Sequence, residues 1–102
     1  MSQDQRIMLA LGAAIDEINS TLPAERRLEK GAETALVGAG GRLDSMGLVN
    51  LVVAAEEAIE SEFGVGVNLG DSRAMSETPS PFRSVGTLAE YVARLLREQG
   101  HG

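Results

Sequence analysis

The chain has 102 residues, a formal net charge of −6 and no cysteine. This excludes disulfides, thiolate catalysis and cysteine zinc sites, and the missing basic surplus argues against nucleic acid. With 43% hydrophobic but only 3% aromatic residues, its core must be built from Leu, Val, Ile, Ala and Met, which suits closely packed small helices better than a β-sandwich. One domain over residues 1–102 is expected, ordered from about 4 to 98.

The first helix is predicted from about Asp4 to Ser20. Ile7, Leu11, Ile15, Ile18 and Leu22 form one apolar stripe at helical spacing, and Pro23 helps to stop it. Within it, "IMLALGAAI" (7–15) has the length of a signal-peptide core. Asp4 offsets Arg6, however, and the stripe continues through Ile18, so a cytoplasmic location is expected. The run is too short to span a membrane, and no membrane insertion is expected.

Residues 23–43 read as a long loop, which in a small domain needs its own anchors. Leu28, Leu36, Val37 and Leu43 are the candidates. Gly38, Gly40, Gly41 and Gly47 suggest tight turns around Asp44-Ser45.

The second helix is predicted over about 45–63. At 100° per residue, Leu48, Leu51, Val52, Ala55, Ala58, Ile59 and Phe63 share a core face. Glu62 falls there too, which predicts a last turn that frays or bends outward. Met46, Val49 and Val53 lie on the other side with Asn50, Glu56, Glu57 and Glu60, an exposed apolar seam beside acid. No Lys or Arg occurs between Arg42 and Arg73, and a one-signed surface of this kind can steer a basic partner.

Gly64 and Gly66 end that helix. "VGVNL" alternates like a strand but has no second strand to pair with, so it reads as an extended connection. A short helix is predicted around 71–77 with Asp71 as cap, then a proline-marked loop at 78–82. The last helix is predicted from about Val85 to Glu98, capped by Ser84, with Val85, Leu88, Ala89, Val92, Leu95 and Leu96 inward. The fold class is thus all-α: a small bundle of three main helices plus one short helix, with a long first loop. Ile15, Leu51, Ile59 and Leu88 are expected to be buried.

No catalytic set emerges. Ser45 has no central His or Lys to serve as base, since the one histidine, His101, lies in the tail. Glu56 and Glu57 are adjacent and point apart on a helix. "GAGG" is not followed by the GK[ST] of a phosphate loop. No enzyme activity of its own and no metal site are therefore expected. Asp44 or Ser45 could simply cap the helix, at about 1 kcal/mol; residue chemistry alone favours this common use. The same helix start would also accept a phosphate esterified to Ser45, by roughly 0.3–1 kcal/mol.

The stretch "LDSMGLVNLVVAAEEAIESEFGV" resembles the acyl carrier protein family, whose Asp-Ser-Leu motif opens the second helix. "SVGTLAEYV" (84–92) is similar to that family's final helix. The resemblance covers most of the chain, although the first helix matches only in kind. It implies 4′-phosphopantetheine on Ser45, with Asp44 as motif partner, holding an acyl or aminoacyl group as a thioester. It implies a phosphopantetheinyl transferase, a loading ligase and a downstream transferase as partners. Their basic surfaces would dock on Met46, Val49, Asn50, Val53, Glu56, Glu57 and Glu60, and the carrier would be a monomer. Gly47 and Asn50 stand where fatty-acid carriers generally have acids, and Gly40-Gly41 lie further from the serine than in peptidyl carriers. These departures point to a dedicated pathway rather than housekeeping fatty-acid synthesis. The competing class is a helical adaptor that keeps the fold without the prosthetic group.

Overall fold

The computed structural model describes residues 2–37, 43–70 and 80–99, with Ser45 described as backbone only. Three α-helices make the domain: α1 (Gln3–Asn19), α2 (Ser45–Phe63) and α3 (Val85–Glu98). Among the described residues the only β-type pairing is an isolated antiparallel bridge between Ala35 and Ser84. The helix predicted around 71–77 and the tail histidine lie outside the described residues.

Each helix starts where a short polar side chain takes up an orphan amide. Ser2 opens α1 through a capping box with Gln5: Gln5 N–H donates to Ser2 Oγ at 3.2 Å, and Ser2 N–H donates to Gln5 Oε1 at 3.0 Å. The helix ends at Asn19, well before Pro23, because hydroxyls take its last carbonyls. Ser20 Oγ donates to Glu17 O at 2.6 Å and Thr21 Oγ1 to Ile18 O at 2.8 Å. Gly64 closes α2 at φ 75°, the left-handed conformation natural to glycine.

α1 packs along α2 and, over a shorter length, on α3. Ile7, Leu11, Ile15 and Ile18 meet Leu51, Ile59, Leu88 and Leu96 in one buried cluster. Ala54, Tyr91 and Ala93 belong to it as well, beyond the predicted stripes. The connections contribute too: Leu28, Leu36, Leu69 and Phe82 are buried, and "VGVNL" forms no strand, with bends at Val65 and Leu69. Glu62 does not fray the end of α2, which remains helical through buried Phe63. Its carboxylate instead accepts from Arg6 Nε at 3.0 Å, while Arg6 Nη2 donates to the Glu62 carbonyl at 2.7 Å. The guanidinium also lies 4.4 Å from the centre of the Phe63 ring, so the start of α1 is tied to the end of α2 and the two run antiparallel.

The long first loop is pinned at three places. Asn19 clamps Leu28 with both halves of its amide, accepting from Leu28 N–H and donating to Leu28 O, each at 2.8 Å. Pro23 leads into a 3₁₀ turn at Ala24–Arg26, which the sequence pattern did not announce. Residues 32–36 then cross the start of α3. Gly86 N–H donates to Ala32 O at 2.7 Å, Val85 N–H to Thr34 O at 3.0 Å, and Leu36 N–H to Arg83 O at 3.0 Å.

Candidate functional site

The start of α2 answers whether the serine is the cap. Asp44 has the extended backbone of a capping residue, and its Oδ1 accepts from Gly47 N–H at 2.7 Å. Capping rests on the aspartate, and Ser45 is the first residue inside the helix. Leu48 N–H donates to Asp44 O at 2.9 Å, and Leu43 N–H to Leu36 O at 3.1 Å, so the approach to the serine is fastened to the buried loop anchor. A Cβ on Gly47 would lie 3.0 Å from Leu43 Cδ2 and 3.2 Å from Asp44 Oδ1. The first turn is therefore tight at that position.

Sequence patterning did not find Arg26. It comes from the 3₁₀ turn in the first loop, and its Nη2 lies 4.0 Å from Asp44 Oδ2, both side chains being more than half exposed. This places a cation beside the helix start whose free amides already favour an anion. No periodic signal marks such a residue, because its position depends on the path of an irregular loop.

From Ser45 a stripe runs along the outer side of α2. Met46 is 70% exposed, Val49 57% and Val53 49%, and Asn50, Glu57 and Glu60 are exposed with them. On a 100° wheel these residues share one face. Among the described residues no cation pairs with Glu57 or Glu60. Glu56 differs: it is half-buried, and its carboxylate accepts from Leu69 N–H at 2.7 Å. It sits at the edge of the stripe and holds the connection after α2.

On the opposite edge, an open groove of about 350 Å³ separates α2 from the end of α1. It is lined by buried Ile18 and Ala54, by Thr21, Asn50 and Val53, and by exposed Glu17 and Glu57. A second, larger groove lies along the outer face of α1 at Met8, Leu9, Gly12 and Ala13, with Asp16 and Lys30 paired at 3.1 Å on its border.

Among the described residues no group of three or more His, Asp or Glu side chains is placed to hold a metal ion. No described helix is long and apolar enough to cross a membrane. No family model matches the chain, and no curated protein or solved structure is significantly similar to it.

Proposed function

We propose that this chain is a carrier protein of the acyl-carrier type, holding an acyl or aminoacyl group as a thioester on 4′-phosphopantetheine attached to Ser45. One observation carries the reading: Asp44 takes over the capping of α2, so Ser45 opens the helix without being its cap, and the exposed seam of Met46, Val49 and Val53 starts beside it. A serine that its helix does not need as a cap lies at the head of a surface an enzyme can cover.

The residues around the helix start fit a phosphodiester. The first-turn amides and the positive end of the α2 dipole favour an anion there by roughly 0.3–1 kcal/mol at an exposed site. Arg26 adds a cation within 4.0 Å of the motif aspartate. When bound, the prosthetic group supplies a terminal thiol for thioester formation. The protein's own part is to fix the attachment point on a rigid helix, balance the phosphate charge and present a docking face. That face would consist of Met46, Val49, Asn50 and Val53, with Glu57 and Glu60 attracting basic partners. Glu56 would act mainly from within, by keeping the connection at Leu69 in place. Neutral Gly47 and Asn50 favour a dedicated pathway over the fatty-acid synthase.

The test is the intact mass of the chain after co-expression with a phosphopantetheinyl transferase. The expected result is one added phosphopantetheine, mapped to the peptide that contains Ser45. A chain that remains unmodified, while still binding a partner through the seam, would be an adaptor instead.

A further inference from the structure

We infer that the groove between α1 and α2 receives a basic side chain of the transferase that loads Ser45, so that α1 supplies part of the docking charge through Glu17. The inference rests on the carrier reading above. Glu17 and Glu57, exposed and on different helices, line the groove together with buried Ile18 and Ala54. Two carboxylates in a partly apolar lining suit one long cationic side chain, whose stem covers the apolar part while its head sits between the charges.

The electrostatics of α1 point the same way. Glu17 stands in the last turn of α1, where the helix dipole is negative and a cation would be favoured, and no basic residue lies in that turn. Arg27 closes this end by donating to the carbonyls of Asn19 and Leu22, both at 3.2 Å. Among the described residues no ion pair reaches Glu17. Neighbouring Asp16, by contrast, has Lys30 at 3.1 Å. The groove acids are thus left for a charge from outside.

Position selects the occupant. Val53, in the groove lining, lies eight residues beyond Ser45, or about 12 Å along the axis at 1.5 Å per residue. A standard interface covers about 800 Å² per partner, a disc of roughly 16 Å radius. An enzyme centred on Ser45 therefore reaches the groove. In loading, the Ser45 oxygen attacks the phosphorus of coenzyme A that bears the pantetheine arm. The bond to adenosine 3′,5′-bisphosphate breaks, and the serine proton passes to a base on the transferase. Docking at Glu17 takes no part in that chemistry and affects only how well the two proteins engage.

The experiment measures loading by a phosphopantetheinyl transferase of broad acceptor range, with coenzyme A, as a function of carrier concentration. Wild type is compared with Glu17→Gln, Glu17→Lys and Glu90→Gln, the last an exposed acid on α3 that controls for net charge. Glu17→Gln is expected to raise KM about three- to tenfold with kcat retained, and Glu17→Lys to raise it further, both effects shrinking in added salt. Glu90→Gln should leave KM unchanged. Normal loading of Ser45 with an unchanged KM in both Glu17 variants overturns the groove and leaves the carrier reading intact. An equal rise in Glu90→Gln also overturns it, because overall charge would then explain the effect. Failure of the wild type to load removes both.

Discussion

Two helix starts in this molecule use the same local chemistry to different ends. At α3, Ser84 is itself the cap, in a reciprocal box with Thr87: Thr87 N–H donates to Ser84 Oγ at 3.2 Å, and Ser84 N–H to Thr87 Oγ1 at 3.0 Å. The next residue, Val85, is buried, and Gly86 presses against Ala32. At α2 the cap is Asp44, the serine follows it, and the next residue, Met46, faces solvent. A serine at a helix start is therefore uninformative by itself; which residue carries the cap separates a serine that closes its helix start from one that does not.

The largest effect expected from this contrast is in loading. Ser45→Ala should abolish the mass gain while costing under about 0.5 kcal/mol of stability, because the cap remains on Asp44. Ser84→Ala should still load but lose about 1 kcal/mol in chemical denaturation. Modification that survives Ser45→Ala would reverse the assignment of the two serines.

Next comes burial along α2 itself. Leu51 is 2% exposed and Val49 57%. Leu51→Ala should cost about 2–5 kcal/mol through lost burial and a cavity, whereas Val49→Ala should stay within about 0.5 kcal/mol. Equal costs would mean that the wheel of α2 is set wrongly.

The glycines of the two starts sharpen the contrast further. A Cβ on Gly86 would lie 2.9 Å from the Ala32 carbonyl oxygen, a backbone atom that accepts from Gly86 N–H itself. Gly86→Ala should destabilise by about 1–3 kcal/mol, as overpacking does. On Gly47 the nearest atom is the end of the Leu43 side chain, at 3.0 Å. Because that atom can yield, and alanine gains about 1 kcal/mol in helix propensity, Gly47→Ala should shift the melting temperature little. A bulkier acid there would also crowd Asp44, so the smallest prediction uses Asn50 alone. Asn50→Glu should raise acyl-transfer rates with fatty-acid synthase enzymes about two- to threefold, the size of one exposed charge contact, without helping the native partner.

Much of the fold was legible because periodicity and capping agree. The apolar stripe from Ile7 to Leu22, the Asp44-Ser45 start and the Ser84 cap place all three helices within about a residue, closer than assignment conventions themselves agree. Small residues evaded the pattern: Ala54 and Ala93 are buried, yet alanine is neutral enough to sit anywhere on a wheel. Tyr91 is buried despite its hydroxyl. The pairings of Arg26 with Asp44, Asn19 with Leu28 and Glu56 with Leu69 join residues with no shared period, and sequence spacing carries no trace of them. The groove was invisible for the same reason, since it exists only once α1 and α2 are antiparallel.

The bridge between Ala35 and Ser84 also sets an order of events. It needs Ser84, which lies in the last fifth of the chain, so it can form only after that part of the chain has been made. The pairing of α1 with α2 needs only the first two-thirds of the chain. During synthesis these two helices can meet while the segment leading into Ser45 still lacks its hold on Arg83 and Val85. The approach to Ser45 is thus framed only when the last helix arrives, so a chain made only through α2 carries the helix but not the finished approach to its serine.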